Sequence, residues 1–356
     1  MATSFFPIAV KAIEKTTDEC SVVCFDINDE LKKEFAYSHG QYLTLRAKID
    51  GQDVRRSYSL CSSPLDDEWK VAVKKIEGGL FSTYVNDVLK AGDTVEVMPP
   101  NGRFFKAIES DQKKHYVAFA AGSGITPIFS IIKTHLHAEP ECTFRLFYVN
   151  QHVGSIILKE EIEALKNQFL DRFEIYHFLT REERSSPLFD GRLSKEKLDV
   201  IFSRIVDAKE MNDYFICGPE EMIFMVRDDL VERGVGKKQI HFELFASGKK
   251  NGKAVSVAPE KKGKMCELSI REGGKSSSFE LPIGSNNILD AALSRSADLP
   301  FACKGGVCCT CRAKLVEGEV QMQVNYALEQ EEIDAGYILT CQAIPLSEKV
   351  VVDFDA

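Results

Sequence analysis

The stretch Phe301–Arg312, FACKGGVCCTCR, constrains this chain more than any other part of it. Three cysteines are spaced Cys303-x4-Cys308-x2-Cys311, and a fourth, Cys341, follows about thirty residues later. That is the plant-type spacing for a [2Fe–2S] cluster held by four thiolates. Three thiolates on one loop reach two irons only if the backbone curls tightly, and Gly305 and Gly306 permit that curl. Loop N–H groups can then point at the sulfurs and offset their negative charge. A structural zinc site or a disulfide is the competing reading. Zinc usually takes two paired C-x2-C knuckles, whereas here three cysteines stand against one. Cys309 falls outside the spacing and reads as a non-ligand, close enough to be an oxidisable thiol. A cluster of this kind carries single electrons, so the remaining chain becomes a question about their source.

At 356 residues the chain is long enough for two or three domains. No apolar run approaches the ~18–20 residues of a membrane span. The start, MATSFFPIAVKAIEK, lacks the basic region, apolar core and cleavage site of a signal peptide. With four cysteines assigned to the cluster, the other seven are scattered, which favours a reducing cytoplasm over a disulfide framework. Charge is uneven. Met265 to Ala356 holds seven Lys/Arg against fourteen Asp/Glu, and Gly248 to Lys264 holds six lysines against one glutamate. An acidic C-terminal part suits a carrier that docks on basic partners, although an ordinary solvated surface reads the same way. Nucleic-acid binding is excluded as a class, because the chain is acidic and its basic stretch is short and free of aromatics.

Residues 1–110 read as antiparallel β structure, with short β-branched and aromatic runs at Pro7–Ile13, Ser21–Ile27, Gln41–Ala47, Arg56–Cys61 and Trp69–Lys75. Strands without intervening helices imply a barrel or sandwich. Within Arg55-Arg56-Ser57-Tyr58-Ser59, strand alternation puts Arg56 and Tyr58 on one face and Ser57 and Ser59 on the other. That combination offers a guanidinium for a phosphate, an aromatic platform, and hydroxyls for ring heteroatoms. An amphipathic edge strand would read alike. Gly78-Gly79-Leu80-Phe81-Ser82, before a helix expected over Thr83–Leu89, can form an anion site or simply a turn with an N-cap. A flavin nucleotide needs both features.

From residue 111 to 246 strands alternate with helices, which implies a doubly wound parallel sheet with its crevice at the strand C-termini. The expected helices include Ile125–His137, Ile156–Phe169 and Leu193–Arg204. Two strand-end loops matter. Gly122-Ser123-Gly124-Ile125-Thr126-Pro127 suits a dinucleotide pyrophosphate, although Pro127 stands where a full G-x-G-x-x-G has its third glycine. Cys217-Gly218-Pro219 lets the backbone approach a flat ring and starts a helix; by itself a Gly-Pro is more often only a turn. Residues 247–264 read as a basic linker. Residues 265–356 begin with a hairpin around Gly273-Gly274 and a helix over Ile288–Arg295, then carry the cysteine loop and end in an edge strand, Val350–Phe354.

Taken in order, RxYS, GSGITP, CGP and C-x4-C-x2-C resemble the ferredoxin-NADP reductase superfamily with a C-terminal plant-type ferredoxin domain. FACKGGVC, GYILTCQAIPL and the VVVDFDA tail are similar to the branch of reductases serving di-iron monooxygenases such as phenylacetyl-CoA epoxidase. The resemblance implies a multidomain fold of FAD-binding barrel, α/β nucleotide domain and α+β β-grasp ferredoxin domain. It implies FAD, a [2Fe–2S] cluster and NADPH as cofactors. By the same resemblance Arg56 holds the FAD phosphates, Tyr58 stacks on the flavin ring, Ser59 lies near its N5, and Gly79 and Ser82 give a second phosphate contact. Gly122, Gly124, Thr126 and Pro127 cradle the nicotinamide nucleotide, and Cys217, Gly218 and Pro219 position its ring. Glu243 and Phe245 resemble an acidic-x-aromatic pair beside the flavin, and Thr180-Arg181 resembles the pair that grips a 2′-phosphate. Val149-Asn150-Gln151 departs from a Gly-Asn-Arg found in relatives, which keeps NADH open as donor. The function implied is a relay from a two-electron donor to a one-electron carrier and on to a di-iron oxygenase. A Rieske-type ring-dioxygenase reductase and a stand-alone ferredoxin-like carrier are the alternatives.

Overall fold

The computed structural model describes residues 5–183, 186–245, 259–261 and 263–356. These fall into two compact units, Phe5–Phe245 and the described part of Ala246–Ala356. Most of the linker expected over 247–264 lies outside the described residues.

The first unit starts with β1 (Phe6–Thr17), β2 (Cys20–Asp26), β3 (Tyr42–Ile49), β4 (Gln52–Ser59), β5 (Trp69–Lys74), helix α1 (Leu80–Asp87) and β6 (Thr94–Asn101). The six strands form one antiparallel sheet in the order β4-β3-β6-β1-β2-β5. A bridge between Leu60 and Val71 joins its two outer strands, so the sheet closes into a barrel. Helix α1 begins three residues before the expected Thr83. Gly79 takes the extended N-cap conformation, and Phe81 and Val85 turn into the barrel core. Strand β2 is buried on both faces: Val23 and Phe25 join the barrel core, while Cys20 and Val22 join the core of the neighbouring layer.

That layer contains β7 (His115–Ala121), α2 (Ile125–Ala138), β8 (Thr143–Asn150), α3 (Lys159–Gln168), β9 (Phe173–Leu179), α4 (Lys195–Arg204), β10 (Asp213–Gly218), α5 (Glu220–Glu232) and β11 (Ile240–Leu244). Its sheet is parallel throughout, in the order β11-β10-β7-β8-β9. The chain order reverses between β7 and β10, which puts the ligand crevice outside the C-terminal ends of those two strands. Helix α3 starts three residues later than Ile156, because Leu158 takes φ +59° and its N–H is held by Thr16 Oγ1 at 3.0 Å. Barrel and parallel sheet are joined by a buried polar seam. Ser130 Oγ donates to Ser62 O (2.6 Å), Ser63 Oγ meets Thr134 Oγ1 (2.8 Å), and Lys133 pairs with Asp66 (2.7 Å).

The second unit has β12 (Met265–Glu272), β13 (Lys275–Pro282), α6 (Ile288–Leu293), β14 (Arg312–Glu317), β15 (Val320–Met322), α7 (Gln330–Asp334), β16 (Tyr337–Leu339), β17 (Ala343–Pro345) and β18 (Lys349–Asp353). Its five-stranded mixed sheet runs β13-β12-β18-β14-β16, with β15 and β17 as a separate ribbon. The terminal strand is not at the edge expected of it. β18 lies inside the sheet, parallel to β12 and antiparallel to β14. The reason is in its residues: Val350, Val351 and Val352 are consecutive and all buried, whereas an exposed edge would show alternation. Gly273 and Gly274 both take positive φ and close the β12–β13 hairpin.

Candidate functional site

Strand β4 carries the face expected to meet a flavin. The Tyr58 ring lies 5.9 Å from that of Phe81 on α1, and Ser57 Oγ meets Thr44 Oγ1 (3.1 Å) on the opposite face. Of the adjacent arginines, Arg55 is buried and paired with Asp53 (3.2 Å), while Arg56 is exposed. Nothing in the local sequence singles out Phe81 for this place. The Gly79–Ser82 turn is closed from within: Ser82 is buried, its Oγ accepts from Ile76 N (3.1 Å) and donates to Gly79 O (3.1 Å). A side chain on Gly79 would meet that Oγ at 2.5 Å. Ser82 therefore shapes the turn, which leaves the N–H groups of the first turn of α1 as the donors open to an anion.

Ser59, at the end of β4, donates to Glu243 Oε2 on β11 at 3.0 Å, across 184 residues of sequence. Burial lifts the Glu243 carboxyl to about 7, against the Ser59 hydrogen bond that pulls it down. A carboxyl raised above its ordinary value disfavours the fold as pH climbs from that ordinary value through about 7, because the native state then holds the extra proton. Glu243→Gln is thus expected to raise the thermal midpoint at pH 8 and not at pH 4. The gain scales as roughly 2–4 °C for each kcal/mol relieved. An equal shift at both pH values would contradict this reading of Glu243.

At the parallel-sheet edge the two glycine loops touch each other. A side chain on Gly124 would come within 2.2 Å of Cys217 O, and one on Gly218 within 3.0 Å of Ala121 Cβ. Gly124 is buried, so its smallness serves the contact between loops. Gly122 holds φ +52° with open space beside its α-carbon. Thr126 is buried and donates to Ser123 O (3.0 Å), fixing the turn, and Pro127 is buried in the first turn of α2. Cys217 is buried and its thiol is pushed up by desolvation, so it stays neutral. Pro219 caps α5. Thr180 N and Arg181 N bond to Asn150 O (2.9 Å) and Gln151 O (2.8 Å), which joins the ends of β8 and β9, with the Arg181 and Gln151 side chains exposed. Phe245 ends the unit, 37% exposed, two residues past Glu243.

In the second unit the four spaced cysteines come together as two pairs. Cys308 Sγ lies 3.1 Å from Cys303 Sγ, and Cys311 and Cys341 are hydrogen-bonded in the same way. Two thiolates per iron is what a two-iron cluster requires. All eleven cysteines lie among the described residues, and none is in a disulfide. Gly305 N donates to Cys303 Sγ (3.3 Å), and Gly306 N to Cys341. Gly306 (φ +75°) makes the curl as expected, and Lys304 (φ +50°) takes the place expected of Gly305. Cys341 sits in the turn between β16 and β17, and Thr340 pins that turn by donating from both N and Oγ1 to Cys311 O (3.1 and 2.9 Å). Cys309 points away and donates to Ala327 O (3.3 Å). Paired sulfurs with N–H donors, three of the four buried, fit an iron–sulfur cluster.

Comparison with known proteins accounts for nearly the whole chain. Residues 7–105 match the oxidoreductase FAD-binding domain, 119–228 the oxidoreductase NAD-binding domain, and 270–346 the 2Fe-2S iron-sulfur cluster binding domain. One component of the 1,2-phenylacetyl-CoA epoxidase of Escherichia coli (strain K12) is 39% identical over 99% of both chains. The chain belongs to the ferredoxin-NADP reductase superfamily, in the branch with a C-terminal [2Fe–2S] domain. The ferredoxin reductase component of 3-ketosteroid-9-alpha-monooxygenase from Rhodococcus rhodochrous is 33% identical over 96% of this chain and 94% of its own. Among solved structures, phthalate dioxygenase reductase matches with a TM-score of 0.61, 22% identity and 98% coverage of both chains, a likeness of fold. This reductase is an NAD(P)H-dependent flavin iron–sulfur oxidoreductase. When bound, FAD takes two electrons from NAD(P)H and hands them on singly, and the cluster carries them one at a time. No helix among the described residues is long and apolar enough to cross a membrane.

Proposed function

We propose that this reductase delivers electrons from NADPH to the di-iron oxygenase component of a phenylacetyl-CoA epoxidase, in phenylacetate degradation. The near-full-length 39% identity to a component of that enzyme carries the reading. In this proposal residues 1–110 bind FAD, 111–246 bind the nucleotide and 265–356 hold the cluster through Cys303, Cys308, Cys311 and Cys341. Arg56 meets the FAD phosphates. Tyr58 and Phe245 flank the ring, and Ser59 and Glu243 hold a proton beside its reacting edge. Gly122, Gly124, Cys217, Gly218 and Pro219 shape the crevice that orients the nicotinamide. Seven cysteines scattered outside the four-cysteine pattern suit a reducing compartment, and the cytoplasm is the proposed location. A steroid-type or ring-dioxygenase partner with NADH is the second reading, favoured by the 33% relative and by Gln151 standing where an arginine would grip a 2′-phosphate.

Arg181 decides the donor. A guanidinium on a phosphate contributes as a charge-assisted pair, so Arg181→Ala is expected to raise the KM for NADPH about 10–100-fold and to leave that for NADH nearly unchanged. Equal effects on the two donors would remove the NADPH assignment. Turnover with the purified oxygenase components of the epoxidase tests the acceptor: single-turnover electron delivery is expected there and not with a Rieske oxygenase.

A further inference from the structure

The cysteine spacing gives no reason to expect the part played by the residue after the fourth cysteine. Gln342 is 8% exposed. Its Nε2 lies 2.9 Å from Lys304 O and 3.5 Å from Cys341 Sγ, so each amide proton has an acceptor. The residue is fixed at both backbone ends. Gln342 N donates to Leu339 O (2.9 Å), and Gln342 O accepts from Gln323 N (3.1 Å). Its Cγ lies 3.2 Å from where a side chain on Gly306 would begin, so the glycine makes room for it. Lys304 presents its carbonyl to this amide from a left-handed conformation that a residue with a side chain rarely adopts. Thr310 is a further side-chain donor near these sulfurs, toward Cys308, and backbone N–H groups add more contacts.

We infer that Gln342 is a positioning residue for the cluster and raises its reduction potential. One amide proton stabilises the Cys341 thiolate. The other ties the turn carrying Cys341 to the turn after Cys303, and so links the two sulfur pairs. One-electron reduction adds a negative charge to a buried site, and an N–H aimed at a ligand sulfur favours the state that carries it. A neutral side chain of similar length with no donor loses that preference. The inference rests on Cys341 being a ligand.

The test is a redox titration of the holoprotein followed by electron paramagnetic resonance, with iron content measured on the same samples. In Gln342→Met the potential is expected to fall, shifting the reduction equilibrium about tenfold toward the oxidised form, which is about 59 mV for a one-electron couple. In Gln342→Glu the potential is expected to become pH-dependent, higher at pH 6 than at pH 9, because a carboxylic acid can donate to the sulfur and a carboxylate cannot. Full iron content with wild-type potentials in both variants would overturn the inference. So would loss of iron from both, which would make the amide a prop for the cage alone. Cys341→Ser separates the two readings: if it keeps a cluster with the wild-type signal, the ligand assignment has failed whatever Gln342 does.

Discussion

Replacing Cys341 with serine is expected to stop electron delivery to an oxygenase while NAD(P)H oxidation by two-electron dyes stays close to the wild-type rate. Of the four spaced cysteines, three share one loop, and Cys341 alone comes from the turn between β16 and β17. Its partner is Cys311, and Thr340 holds the two backbones together. Without the Cys341 thiolate, one iron keeps a single cysteine from the protein. The flavin face and the nucleotide crevice belong to the other compact unit and contain none of these cysteines. The two activities are therefore expected to separate cleanly. Iron content and dye-linked turnover on one preparation check this, and dye-linked turnover that falls with the iron would contradict it.

Gly124→Ala is expected to disable the nucleotide side with comparable force. The added methyl would sit 2.2 Å from Cys217 O, 2.5 Å from Cys217 C and 2.9 Å from Gly218 N. All three are backbone atoms, so no side chain can swing aside. Overpacking of this kind costs about 1–3 kcal/mol, and the loops can relieve it only by moving apart. A displacement near 1 Å at a positioning element can cost about a hundredfold in rate. Flavin reduction by NAD(P)H should fall by that order, with FAD content unchanged. Gly122→Ala is the contrast, since its surroundings are open and only its positive φ resists the substitution. If the two variants behaved alike, crowding between the loops would not be the cause.

Local features are the most legible in the sequence. The cysteine spacing describes one loop, the G-x-G and Cys-Gly-Pro stretches each describe one strand end, and the Gly273-Gly274 turn falls where its positive φ values are found. Boundaries decided by tertiary contact are harder. Helix α1 starts at Leu80 because Phe81 must reach the barrel core, and α3 starts late because Leu158 is held by a strand of the barrel. The end position of the C-terminal strand suggests an edge, although three adjacent buried valines belong between neighbours. Pairings across long separations leave no local signal. Ser59 and Glu243 are linked in sequence only by resemblance to relatives, and nothing in the spacing of Cys341 points to the amide of Gln342 or the hydroxyl of Thr340.

A two-electron donor and a one-electron carrier are thus coupled within one chain. Anaerobic stopped-flow mixing of NADPH with the holoprotein tests this coupling most directly, with flavin bleaching and cluster reduction followed at separate wavelengths over a range of protein concentrations. Cluster reduction is expected to follow flavin bleaching with a first-order rate independent of protein concentration. A rate that rises in proportion to protein concentration, or a cluster that stays oxidised after the flavin has bleached, would contradict it.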